Sequence, residues 1–220
     1  MKFLDYDGPI MGFLSKVADL LFLNVLSIIF SLPIFTIGTA LTATHYTALK
    51  IRRGEGHVWS NFWKSFKENF KQSTIIWLIL MAHFLLAAVA LTILPNVKGT
   101  ISSVMQVVVM AAVVFGLFLY AWIFPIQSKF INDLKNTFKN ACYFVVKDFF
   151  RTILMAVVNL LPLGLLVLIF MFMYLRGLGT WLLFGVSVPI YWCAMTYDKV
   201  FEKIEDEILG KEEDKEEIQM

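Results

Sequence analysis

The chain has 220 residues, 59% of them hydrophobic and 16% charged, against roughly 45–50% and about 25% in ordinary soluble domains. The formal net charge of +2 is segregated, since residues 20–49, 73–97, 99–128 and 152–175 carry no formal charge. This pattern excludes a water-soluble globular domain and implies an all-α, polytopic membrane helical bundle. Residues 1–208 read as a single transmembrane domain and 209–220 as an acidic cytoplasmic tail.

In chain order, residues 2–16 set Lys2 and Lys16 against Asp5 and Asp7. Without a net positive n-region, and with a long apolar run behind it, no cleavable signal peptide is expected. The stretch from Leu20 to Leu49 spans 30 residues without charge, about 45 Å if helical and too long for one upright crossing of a ~30 Å hydrocarbon core. Ser31-Leu32-Pro33 with Gly38 supplies a break, because proline disfavours helical geometry in the residue before it. The expectation is a hairpin, with one span over 13–31 and a shorter one over 33–49. The alternative is one tilted helix broken at Pro33, which gives five crossings instead of six and puts the N-terminus outside.

Residues 73–94 form the clearest span, 22 residues without a charge and about 33 Å long as a helix. Further spans are expected over 104–126, 152–174 and 177–197. Trp77, Trp122, Tyr174, Trp181 and Tyr197 stand near span ends as interfacial anchors, and Pro162 and Pro189 as tolerated kinks.

Loop charge sets the orientation. Segment 50–72 holds Lys50, Arg52, Arg53, Lys64, Lys67 and Lys71, and segment 127–151 holds Lys129, Lys135, Lys139, Lys147 and Arg151. The turns at 95–103 and 175–180 hold only Lys98 and Arg176. The two basic segments and the C-terminus are therefore expected in the cytoplasm. Membrane topology accounts for the cations, so no nucleic acid is expected as a partner.

Both basic segments are amphipathic. Trp59, Phe62, Trp63, Phe66 and Phe70 recur at helical spacing opposite Ser60, Lys64, Lys67, Glu68 and Lys71. Ile131, Leu134, Phe138, Cys142 and Val145 do the same beside Lys135 and Lys139. They are expected as cytoplasmic interfacial helices, with docking of each on protein as the alternative. Lys67-Glu68-Asn69-Phe70-Lys71 and Lys147-Asp148-Phe149-Phe150-Arg151 open successive apolar runs, a repeat at the level of pattern that favours six spans. Residues 198–220 hold ten acids and four lysines; they read as a solvated end or a docking handle for a basic partner.

Leu23-Asn24-Val25-Leu26, Ser31-Leu32-Pro33-Ile34-Phe35-Thr36-Ile37-Gly38-Thr39-Ala40, Phe62, Phe66 and Asn69-Phe70-Lys71-Gln72-Ser73 together resemble the YesL family of bacterial integral membrane proteins. The order and spacing fit over most of the chain, although the later spans are merely compatible. The resemblance implies a multi-pass protein of the bacterial plasma membrane with an accessory role in carbohydrate uptake. It brings no catalytic residues.

Intramembrane polar groups are the candidates for chemistry. Asp19, Asn24, His83 and Asn159 make a candidate polar site, with His45 as a further polar group. His83, near the middle of its span, could join Asp19 or Asn159 in a proton or solute path, or simply share an interhelical hydrogen bond. Pro33, Thr36 and Gly38 mark a helix break that either binds a solute through exposed backbone or forms a tight turn. The chain has no H-E-x-x-H, G-x-S-x-G, P-loop or C-x-x-C, so neither an enzyme, a metal nor a cofactor is expected. The partners expected are the lipid bilayer and a carbohydrate ABC importer or other membrane protein. An autonomous small-solute transporter or channel is the second reading.

Overall fold

The computed structural model describes residues 9–172 and 186–219, with side chains for 11–161 and 186–206. The described elements are helical: α1 (Pro9–Ser31), α2 (Ile37–Arg53), α3 (Val58–Ile93), α4 (Thr100–Lys129), α5 (Leu134–Lys147), α6 (Phe149–Phe172) and α7 (Ser187–Gln219). Among the described residues three segments are long and apolar enough to cross a bilayer, namely Met11–Ser31, Val58–Asn96 and Thr100–Lys129, with Phe149–Leu161 a shorter apolar helix.

The chain does break after Ser31, and it folds back. Ser27 and Thr44 join hydroxyls at 2.5 Å across the corner. Thr36 closes that corner by donating its hydroxyl to the carbonyls of Phe30 and Pro33, each at 2.7 Å. Trp77 donates its indole N–H to the carbonyl of Ile34. The carbonyls freed by the break at Pro33 are thus taken up by neighbouring donors, as a chain interruption inside an apolar bundle requires.

The second helix is the hub. Its 17 residues are about 26 Å long, and it packs against α1, α3, α4 and α7. A helix enclosed by protein needs no apolar outer face, which is why Thr39, Thr42, Thr44 and Thr47 can all be buried in it. Thr42, Thr44 and Thr47 return their hydroxyls to the carbonyl four residues back. Gly54, at φ +71°, then reverses the chain in the left-handed conformation that glycine adopts without steric cost. Helix α3 returns antiparallel to α2: Thr42 meets Ser73, Thr39 meets Thr74, and Asn61 bonds the carbonyl of Glu55.

Helix α3 overturns one expectation. The aromatic segment 59–70 is not a separate interfacial helix but the first half of an unbroken 36-residue helix, about 54 Å long. Phe62 and Phe66 are buried in it, stacked with Phe30 of α1 at ring separations of 5.4 and 5.0 Å. The second half of α3 pairs antiparallel with α4, through His83 to Ala112 and Ser102 to Leu94. This hairpin presents Leu78, Ile79, Leu85, Leu86, Val107 and Val108 outward.

The main core lies at the opposite end of α4, where every residue from Ala121 to Ser128 is buried. Two expected interfacial anchors are part of it. Trp122 is fully buried, stacked on Phe144 at 5.0 Å and bonded to the Thr152 hydroxyl at 2.7 Å. Tyr197 is fully buried against Phe201. Both find partners for their polar atoms inside protein, so neither ring faces lipid. Helix α5 docks on this core through Ala141, Phe144 and Val145.

Of the span expected over 177–197, the described part begins at Val186, and helix α7 starts at Ser187. Pro189 stands in its first turn, where its missing N–H costs nothing, rather than at a kink. Residues 177–185, with Trp181, lie outside the described residues, as does Tyr174 in the span expected over 152–174.

Candidate functional site

The sequence-selected polar residues are placed against different partners. Asn24 is fully buried, and its Oδ1 accepts the backbone N–H groups of Val186 and Ser187 at 2.9 and 3.0 Å. It thereby caps α7 from another helix, supplying an acceptor to N–H groups that have none in their own first turn. Asp19 is half-buried on α1 within electrostatic reach of His57. His83 places Nε2 at 3.0 Å from the carbonyl of Ala112. Asn159 donates to the carbonyl of Met155 at 2.9 Å and to Cys193 Sγ at 3.3 Å. His83 and Asn159 are thus engaged on α4 and α7 respectively.

At the helix break, Gly38 has a steric role. A Cβ there would lie 2.4 Å from the Cβ of Trp77 and 2.5 Å from the carbonyl oxygen of Ser73. Only glycine lets α2 and α3 approach this closely. Gly116 plays the same part between α4 and α3, since a Cβ there would lie 2.8 Å from His83 Nε2.

The densest ionic cluster lies elsewhere, where α7 crosses the end of α2. Asp198 is 1% exposed. Its Oδ1 accepts from Arg53 Nη2 at 2.6 Å, and its Oδ2 forms an ion pair with Arg52 Nε at 2.9 Å. Desolvation works against the charge on Arg53, yet the hydrogen bond and charge of Asp198, with Glu205 and Glu202 behind, hold its pKa above the usual arginine value. Arg52 Nη1 and Arg53 Nε are buried without a hydrogen-bond partner. One residue before Asp198, the Tyr197 hydroxyl lies 3.2 Å from His45 Nδ1. Two turns beyond, Glu205 pairs with Lys129 of α4 at 2.5 Å. The C-terminal helix is therefore clasped to α2 and α4 by charge along one face.

Sequence reading counted Asp198 only among the ten acids of residues 198–220. The signal for its burial is position: Ile190, Cys193, Ala194, Tyr197 and Phe201 form a buried stripe on α7, and Asp198 lies within it at helical spacing from Ala194 and Phe201. An acid in an apolar stripe needs a cationic partner, and adjacent arginines at the end of α2 meet that need.

A second polar seam ties α3, α4 and the α4–α5 connection. Gln127 donates to Asn69 Oδ1 at 3.0 Å, Thr137 donates to Gln127 Oε1 at 3.2 Å, and Gln72 donates to the carbonyl of Asn132 at 2.9 Å. These bonds hold helices together without leaving a side chain directed at a vacant site. Among the described residues no group of three His, Cys, Asp or Glu side chains could hold a metal ion.

No curated protein and no solved structure matches the chain. Residues 20–91, which run from α1 through α2 and most of α3 and include both arginines of the clasp, match the family model described as a protein of unknown function, DUF624.

Proposed function

We propose that the chain is a multi-pass protein of the bacterial plasma membrane that acts as a non-catalytic accessory or regulatory component of carbohydrate uptake, alongside an ABC importer or another membrane partner. The observation that carries this reading is that His83, Asn159 and Asn24 are each engaged by a neighbouring helix, as in a bundle built to hold a shape. The DUF624 match agrees with the YesL resemblance, because that family carries this domain. The fold-back of α1 on α2 agrees with a hairpin at Pro33 in place of one tilted helix; on this reading the crossings number six, with both termini in the cytoplasm.

Co-purification after mild detergent extraction tests the accessory role: an importer subunit or other membrane partner should come down with the chain, and a chain recovered alone contradicts it. Reporter fusions at residues 4 and 215 test the topology, since fusions reporting opposite sides defeat the hairpin at Pro33. An autonomous transporter is the competing reading, and solute flux in liposomes containing the purified chain alone would favour it.

A further inference from the structure

The first half of α3 carries a groove of about 560 Å³ lined by Trp59, Ser60, Trp63, Lys64, Lys67 and Glu68. Its apolar wall is fixed by protein. The indoles of Trp59 and Trp63 stack at 5.9 Å, and Phe30 of α1 backs them at ring separations of 6.4 and 5.5 Å. Its rim is cationic. Lys64, Lys67 and Lys71 recur at helical spacing on one face of α3, all exposed, and none of them forms a salt bridge among the described residues. Lys67 Nζ rests 5.5 Å from the Trp63 ring centroid, and Glu68 is the one acid in the lining. Like charges at this spacing repel along a helix, so an anionic partner laid along the row would stabilise it.

A helix of the complementary charge stands at the same end of the molecule. The clasp of Asp198 on Arg52 and Arg53 sets α7 beside the end of α2, and the turn after Arg53 leads directly into α3 at Val58. The α7 backbone continues as one helix to Gln219. Near its end it carries Glu212, Glu213, Asp214, Glu216 and Glu217 against Lys211 and Lys215. Glu212 and Glu216 stand one turn apart, as do Glu213 and Glu217, so this row has the same unrelieved spacing with the opposite sign. Helix α7 packs on α1, α2 and α6 and pairs with Lys129 of α4, whereas the groove lies on α3. An unbroken helix tied down at Asp198 and Glu205 carries Glu217 about 18 Å beyond the last tie, more than the diameter of a helix.

We propose that the groove takes the acidic end of α7 from a second copy of this chain, with residues 212–217 along the Lys64, Lys67 and Lys71 row and the paired indoles covered by the incoming helix. Charge selects this occupant, since the end of α7 is the strongly acidic stretch of the chain. A twofold axis makes the exchange reciprocal, each copy giving its own end and receiving the other. Surface ion pairs are individually weak, but here they act twice in one dimer, beside tryptophan rings that lose water on contact. The proposal rests on the groove and the end of α7 sharing one end of the molecule and is independent of the role in sugar uptake.

The test is light scattering of the detergent-purified full chain, with the detergent mass subtracted, at low and at high ionic strength. The wild type should be dimeric at low ionic strength and dissociate as salt rises. K64E/K67E and E213K/E216K/E217K should each raise the dimer dissociation constant by roughly tenfold or more. An equimolar mixture of the two variants should recover the dimer, because the acidic groove of one meets the basic end of the other while the two unaltered surfaces meet in turn. That recovery also shows that both variants fold. A monomeric wild type, dimers that persist in either variant, or a mixture that stays monomeric overturns the proposal. Phosphatidylglycerol vesicles that bind a monomeric wild type and release K64E/K67E assign the groove to lipid and overturn the second copy. None of these outcomes bears on the importer partnership, which co-purification tests separately.

Discussion

Arg53 and Asp198 are 145 residues apart in the chain, and their side chains meet at 2.6 Å. The pair joins the end of the second helix to the middle of the last one, and Arg52 completes it on the other carboxylate oxygen. Two cations on one buried acid leave the local cluster with excess positive charge, which Glu202 and Glu205 offset from the next turns of α7. A carboxylate this buried is tolerable only because each of its oxygens is paired with a guanidinium group.

Removal of that acid should be costly. Asp198→Ala leaves two guanidinium groups without their counter-ion, and breaking a buried pair from one side costs about 3–5 kcal/mol; the partial exposure of both arginines puts the expected loss at the lower end of that range. The readout is the thermal midpoint of the detergent-solubilised protein, which should fall clearly for Asp198→Ala and less for Asp198→Glu. An unchanged midpoint would remove the clasp from the account.

The contact at Gly38 predicts a steric phenotype. In Gly38→Ala the new methyl meets the Ser73 backbone oxygen and the Trp77 Cβ, neither of which is the far end of a flexible side chain. Helices α2 and α3 must separate, at about 1–3 kcal/mol. Limited proteolysis near Gly54–Gly56 should accelerate, whereas Gly12→Ala, with open space around it, should leave the pattern unchanged.

Gly116 and His83 should couple. Gly116→Ala puts a methyl against the His83 ring, so it should destabilise the wild type but cost less in a His83→Ala background. The expected interaction energy is about 0.5–3 kcal/mol, read from a double-mutant cycle of thermal or denaturant midpoints. Additive effects would show that the two residues do not share this contact.

Much of this architecture is legible in the sequence for a physical reason. Charge is expensive in hydrocarbon, so the charge-free runs at 73–97 and 99–128 give the α3–α4 hairpin, and Pro33 gives the corner after α1. Which apolar side chains face protein is a different matter. In a membrane protein the inside and the outside are both apolar, so hydropathy cannot tell buried Trp122 from exposed Leu86. That is why Trp122 and Tyr197 read as anchors when they are core. Asp198 and the clasp were hidden by the acids that follow, and Gly38 read as a break when it is also a contact. Helix continuity through Phe70 was equally hard to see, because an amphipathic first half and an apolar second half look like two elements.

The central claim is that α4 crosses the bilayer, with the turn at 97–99 on one side and the connection at 130–133 on the other. Single cysteines at residues 97 and 132, in a Cys142→Ser/Cys193→Ser background, can be treated in intact cells with a membrane-impermeant maleimide. Position 97 should label in whole cells and position 132 only after the membrane is opened. Labelling of both positions from the same side would contradict the account.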